Sequence, residues 1–146
     1  MNVYQQKLAE VDIRPSVQRT AIYEYLCKHR VHPTVEMLYS ALSPKFPTLS
    51  KTTIYNTLKN FVEKKIIKEV AIEDDKLRYD AELRPHLHFK CSSCGKIFDI
   101  FDDKKLANYT LHCIDNLPNG FTFFSLEVSL KGLCPDCAKK TANNIN

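Results

Sequence analysis

The sequence predicts an α+β fold in two parts: a winged helix-turn-helix over residues 1–80, then a small α/β domain with a four-cysteine zinc site over residues 86–146. Three observations predict it. The first 65 residues punctuate into capped helical segments, and two short β-rich runs follow them. From His86 the texture changes to strands around cysteine pairs. Cys91-x-x-Cys94 and Cys134-x-x-Cys137 then bracket 39 residues, with His86-x-His88 just upstream of the first pair.

Met1–Val11 reads as a short helix, and Pro15 ends the link after it. Ser16 is suited to cap a second helix to about Lys28, with Ala21, Ile22, Tyr25 and Leu26 sharing one broad face. His32-Pro33-Thr34 breaks the chain, and Thr34 can cap a third helix, Val35–Leu42, that buries Leu38 and Leu42. Pro44-x-x-Pro47 is a loop. Ser50 then caps a fourth helix, Lys51–Lys65, whose Ile54, Leu58, Phe61 and Val62 recur at helical spacing. Ile67–Ile72 and Leu77–Asp80 form a hairpin around the charged tip Glu73-Asp74-Asp75-Lys76. Residues 81–85 read as a hinge.

Beyond the hinge, Leu87–Lys90 and Lys96–Phe101 read as strands flanking the first cysteine pair. Asp102 or Asp103 caps a helix to about Leu117, and Asn119-Gly120 is a turn. Phe124, Leu126, Val128 and Leu130 alternate with polar residues, the pattern of a long half-buried strand. After the second cysteine pair a short frayed tail is expected. Cys113 falls on the apolar side of its helix and reads as a buried core thiol, whereas Cys27 is left open. His29 and His112 read as ordinary surface and helix-face histidines.

The chain is mildly basic, with formal net charge +4, and all five arginines precede Pro85. Arginine suits phosphate and base-edge contacts, so the bias is a weak pointer to nucleic acid. No segment resembles a signal peptide and no apolar run is long enough to span a bilayer, so a cytosolic protein with no membrane partner is expected. In that compartment cysteine pairs bind metal or do redox work more often than they form structural disulfides.

Each Cys-x-x-Cys presents two thiolates at i and i+3, and Gly95 lets the first pair turn tightly. Two such knuckles complete a closed tetrahedron with no open position, the pattern of a structural Zn²⁺. A redox dithiol would need a βαβ context that is missing here. His86 and His88 share one face of a strand because side chains alternate with period two. Asp99 lies on the partner strand, and His32 and Asp80 are further candidates. Two imidazoles with carboxylates suit a harder, more exchangeable divalent ion.

In the amino-terminal part, Lys51–Lys65 occupies the position of a recognition helix. Thr52, Asn56 and Lys59, with Tyr55 at the edge, point away from its apolar stripe. Asn pairs bidentately with adenine, and Tyr and Thr reach phosphate or a thymine methyl. Lys76 and Arg78 on the hairpin suit backbone phosphates, and Arg19 joins them as a candidate DNA contact. The competing reading is a solvated helix face.

Taken together, the chain resembles the ferric uptake regulator family of bacterial metalloregulators over essentially its full length. The matching stretches are Ser16-Val-Gln-Arg-Thr-Ala-Ile, His32-Pro-Thr-Val-Glu-Met-Leu-Tyr, Phe46-Pro47 with Ser50-Lys-Thr-Thr-Ile-Tyr-Asn-Thr-Leu, His86-Leu-His-Phe-Lys-Cys-Ser-Ser-Cys-Gly-Lys and Cys134-Pro-Asp-Cys. The resemblance implies a homodimeric repressor that binds a palindromic A·T-rich operator. Its second domain would then be a dimerisation domain, with structural zinc on Cys91, Cys94, Cys134 and Cys137.

The match is nearest the peroxide-sensing branch. That implies a regulatory Fe²⁺ or Mn²⁺ on His32, Asp80, His86, His88 and Asp99, with Asp99 where iron sensors carry Glu. It further implies that peroxide reacts at Fe²⁺ and oxidises His32 and His86, so that the metal leaves and target genes are derepressed. Many iron sensors place Asp between the two histidines and a further His on the last strand. Here Leu87 stands between them, with Ser125 and Leu126 near the strand position, so that additional site is not expected. Iron or zinc sensing on the same scaffold, a metallohydrolase and a zinc-ribbon interaction module are the alternatives.

Overall fold

In a computed structural model the chain divides into two compact units, Met1–Leu83 and Arg84–Asn146. It describes residues 1–73 and 75–145, and the side chains of all of these except Glu73, Asp103, Asn144 and Ile145. Asp74, in the expected hairpin tip, lies outside the described residues.

The first unit holds α1 (Val3–Glu10), α2 (Val17–Lys28), α3 (Val35–Leu42) and α4 (Lys51–Glu63), then β1 (Lys68–Glu73) and β2 (Lys76–Asp80). Each helix starts where a side chain can satisfy an orphan amide. Asn2, Ser16, Thr34 and Ser50 all accept from the N–H three residues on. Asn2 and Gln5 complete a reciprocal capping box that the sequence reading did not identify.

The apolar faces meet in one core. Leu8, Ile22, Leu38, Ile54, Leu58 and Phe61 are fully buried in it. Tyr23, absent from the expected face of α2, also enters this core, edge-on to both Tyr4 and Phe61. Burial pushes its phenol up to about 12, helped by Cys27, which packs against the same core. Thus Cys27 is half-buried, and burial raises its thiol. β1 and β2 pair antiparallel from Lys68↔Asp80 to Glu73↔Lys76, with an irregularity between Val70 and Glu73. Val70, Ile72 and Tyr79 are the buried apolar residues of this wing, and Tyr79 joins the helical core.

The second unit holds β3 (Leu87–Cys91), β4 (Ile97–Ile100), α5 (Asp103–Asp115), β5 (Ser129–Gly132) and α6 (Pro135–Ile145). Asp102 is the cap of α5. The strands form one sheet in the order β4-β3-β5, antiparallel between β3 and β4 and parallel between β3 and β5. Gly132 lies in β5 where an added Cβ would meet the Phe89 ring at 3.0 Å, a close approach that favours glycine.

Three expectations are corrected here. The long strand begins only at Ser129, and residues 121–128 pair in no ladder. Phe124 is 91% exposed and Leu126 and Val128 are only half-buried, so the alternating pattern is incompletely covered within the unit. Cys113 is half-buried rather than buried, because no described side chain of α5 is buried. Finally, the expected tail is a helix, α6, which starts at Pro135 where a missing N–H is harmless.

Candidate metal centres and nucleic-acid interface

The two knuckles come together. Among Cys91, Cys94, Cys134 and Cys137 one sulfur from each lies within 4.8 Å of every other, and all but Cys94 are buried. Backbone geometry explains how. Ser92 N–H donates to Gly132 O at 2.7 Å, which fastens the first turn to the end of β5. Gly95 N–H donates to Cys91 O, with Gly95 at φ +75°, a conformation that L side chains rarely adopt. The second pair opens α6, where Ala138 N–H donates back to Cys134 O. Amides of Cys94 and Cys134 donate toward the Cys91 sulfur and hold its thiol down to about 6, near the thiolate form a metal needs. Four sulfurs at this spacing, with backbone donors already aimed at one, fit a tetrahedral Zn²⁺ and leave no open position.

The second constellation lies on β3 and β4. Their register sets His88 directly opposite Asp99, and His86 is two residues along on the same face. The strand pairing brings Asp99 onto the face that carries the two histidines. Asp99 Oδ1 lies 3.3 Å from His86 Nε2 and 3.6 Å from His88 Nε2, and the two Nε2 atoms are 2.9 Å apart. His86 Nδ1 is 2.7 Å from the Arg84 carbonyl. That oxygen can only accept, so Nδ1 carries the proton and Nε2 presents its lone pair. A lone pair then faces a carboxylate oxygen. His88 Nε2, a second proton or a cation can answer that lone pair, and a nitrogen-rich, one-carboxylate set suits a divalent transition metal. The Phe101 ring packs on the His86 ring, centroid to centroid at 5.2 Å, and the Arg84 guanidinium lies 4.8 Å from the Phe101 centroid. Sequence reasoning passed over both Phe101 and Arg84, since neither is a ligand type.

In the first unit His32 and Asp80 form a buried pair, Nε2 to Oδ2, at 3.4 Å. His32 adopts φ +49°, a costly conformation for a non-glycine residue that surrounding bonds must maintain. β2 supplies them. Tyr79 N–H donates to Pro33 O at 3.1 Å, and Arg78 Nη1 donates to His32 O at 3.1 Å. One nitrogen donor in the loop before α3 and one oxygen donor at the end of β2 are thus held together.

The recognition-helix face is open. Thr52, Tyr55, Asn56 and Lys59 are exposed on α4. Arg19 on α2 is half-buried, and its Nη1 donates to Arg14 O at 2.9 Å. With Asn56, Asn60, Gln18 and Ser16 it lines a polar cleft of about 540 Å³. Lys76 is exposed at the start of β2. Arg78 is half-buried, and its Nη1 donates to His32 O and approaches Met37 Sδ. Lys51, which opens α4, pairs with Glu36 at 2.6 Å and lies over the Tyr39 ring.

A winged set of four helices, a four-cysteine cluster and two histidine–carboxylate groups narrow the choice, and comparison with known proteins decides it. The ferric uptake regulator family model matches residues 10–117 of the 146. This chain belongs to the ferric uptake regulator family. Among its family relatives, the peroxide-responsive repressor PerR of Staphylococcus aureus is 37% identical over 136 residues, covering 91% of this chain and 88% of that protein. The peroxide operon regulator of Bacillus subtilis is 35% identical over 138 residues, covering 91% and 90%. Among solved structures, the Helicobacter pylori ferric uptake regulator, described as having three functional metal-binding sites, matches with TM-score 0.72 and 20% identity. It covers 92% of this chain and 88% of that one, and at this identity it shows the shared fold. The family's fold is thus the α+β architecture expected from sequence, and no described helix is long and apolar enough to cross a membrane.

Proposed function

We propose that the protein is a dimeric, metal-dependent transcription repressor that responds to peroxide. The single observation that carries the reading is the convergence of His86, His88 and Asp99. His32 and Asp80 complete the ligand set in this reading. Three nitrogens and two oxygens suit Fe²⁺ or Mn²⁺, while the four cysteines hold Zn²⁺. The relatives that carry the names of peroxide-responsive repressors support the choice of signal.

In this reading both units contribute ligands, so DNA affinity follows metal. Exposed Thr52, Tyr55, Asn56 and Lys59 face the major groove, and Arg19 and Lys76 take phosphates. The carboxylates beside the wing tip and the small net charge exclude binding driven by charge alone, so two copies on a palindromic A·T-rich duplex supply affinity. Exposed Phe121, Phe124, Leu111 and Ile114 of the second unit provide the apolar surface such a homodimer covers. Bound Fe²⁺ supplies the one-electron chemistry that makes an oxidant of peroxide. The chain's own part is to hold the rings of His32 and His86 in place there, so that oxidation removes a ligand. The protein acts in the cytosol and turns over no substrate.

A gel-shift assay tests the reading. The zinc-loaded protein binds a palindromic A·T-rich duplex when Mn²⁺ or Fe²⁺ is added and does not bind without it. Equal binding with and without metal contradicts metal dependence, and no binding in either case contradicts the repressor reading.

A further inference from the structure

Arg30 and Glu82 are neither ligands nor part of the recognition face, yet both are tied to Asp80. Arg30 stands two residues past the end of α2 and two before His32. Its Nη1 lies 3.7 Å from Asp80 Oδ1, and its Nη2 donates to Glu82 Oε2 at 3.3 Å. The Glu82 backbone N–H donates to the same Asp80 Oδ1 at 2.8 Å. The other oxygen, Oδ2, is the one that faces His32. The Asp80 and Glu82 side chains are only 3% and 9% exposed, while Arg30 reaches them from the surface at 46%.

Burying a second carboxylate next to a metal ligand is unfavourable unless it is paired. Glu82 is paired, and its partner is the same guanidinium that approaches Asp80. The planar fork of arginine can serve two carboxylates at once, which a lysine ammonium on a flexible stem does not do in the same geometry. The Asp80 carboxylate is thereby divided. Oδ1 accepts from the Glu82 amide and has the Arg30 guanidinium within ion-pair distance, and Oδ2 faces His32.

We propose that Arg30, held in place by Glu82, is a positioning residue for the regulatory metal: it fixes Asp80 so that Oδ2 alone is presented as a one-oxygen ligand. The proposal rests on the reading of His32 and Asp80 as ligands. Two effects oppose each other. A guanidinium near a divalent cation disfavours binding, whereas a pre-oriented ligand favours it. The Glu82 carboxylate, at 3.3 Å from Nη2, offsets the guanidinium charge. The three side chains together carry the same net charge as Asp80 alone, so orientation is the effect that remains.

The test uses the zinc-loaded full-length protein and Mn²⁺ as probe, with free Mn²⁺ followed by electron paramagnetic resonance. Asp80→Ala is the reference for a lost ligand. Arg30→Gln/Glu82→Gln removes both charges together, Asp80 keeps the residue 82 amide and His32 as partners, and metal-free melting checks that the fold is preserved. Arg30→Lys keeps the charge but not the fork. The expected result is Mn²⁺ affinity about 10–100-fold weaker in both the double variant and Arg30→Lys, with zinc content and metal-free melting unchanged. Affinity equal to or tighter than the parent's in both, while Asp80→Ala loses Mn²⁺ binding, overturns the positioning role and leaves the ligand reading intact. Parent-like affinity in Asp80→Ala overturns the ligand reading, and the positioning role with it.

Discussion

His86 Nε2 and His88 Nε2 stand 2.9 Å apart, and the Asp99 carboxylate oxygen lies 3.3 Å from the first and 3.6 Å from the second. The antiparallel register of β3 and β4 produces this, since it places residue 88 opposite residue 99. The Arg84 carbonyl then fixes which nitrogen of His86 is available. Asp99→Ala or His88→Ala therefore leaves zinc and dimer intact and weakens metal-activated DNA binding by at least about tenfold, a loss comparable to that of disturbing a ligand's support. Titration of DNA binding against Mn²⁺ checks it, and an unchanged Mn²⁺ requirement removes those residues from the site.

The zinc prediction is the more drastic. Cys91→Ser or Cys134→Ser removes one of four thiolates from a closed site whose binding energy is also folding energy, about 10–16 kcal/mol for small zinc modules. The variants lose zinc by elemental analysis and sediment as monomers. A variant that lacks zinc and remains a folded dimer contradicts the structural role.

On the recognition helix, Asn56→Ala weakens binding to the specific duplex by about 1–3 kcal/mol if the amide reads a base edge. Competition between operator and random duplex measures it. Equal loss on both assigns Asn56 to the phosphate backbone instead.

Alkaline stability follows from Tyr23. Its folded-state phenol is raised to about 12 from an ordinary 10 by burial, so the folded state holds the proton that the unfolded chain releases. Below about pH 10 both states are protonated and the group contributes no slope. Between about 10 and 12 stability falls as pH rises. Tyr23→Phe removes that part of the decline, which urea unfolding at a series of alkaline pH values reads directly. A decline identical in the two proteins assigns it to other groups, such as Tyr79, whose phenol burial also raises.

Much of this was legible in the residues because local rules agreed with one another. Ser16, Thr34 and Ser50 start their helices where expected, since a capping side chain and an apolar period mark the same boundary. The cysteine cluster was legible because spacing alone fixes two thiolates on a tight turn. What was not legible depends on contacts across the chain. Nothing in the sequence around Arg30 or Glu82 marks them as partners, because residues 52 apart meet only through the fold. Arg78 read as a phosphate contact, and nothing local marks its hydrogen bond to the His32 carbonyl. The period-two run at Phe124–Lys131 promised a strand, but its apolar side is only partly covered within the unit, with Phe124 exposed, and the ladder shortens to Ser129–Gly132.

The most direct test of the central claim loads the zinc-containing protein anaerobically with Fe²⁺ or Mn²⁺ on its duplex and adds a small excess of hydrogen peroxide. DNA release is then followed and oxidised peptides are mapped by mass spectrometry. The account predicts that the Fe²⁺ form leaves the DNA and gains one oxygen on the peptides carrying His32 or His86, while the Mn²⁺ form stays bound and unmodified. If both forms stay bound and unoxidised, the protein senses metal rather than peroxide, and the claim is contradicted.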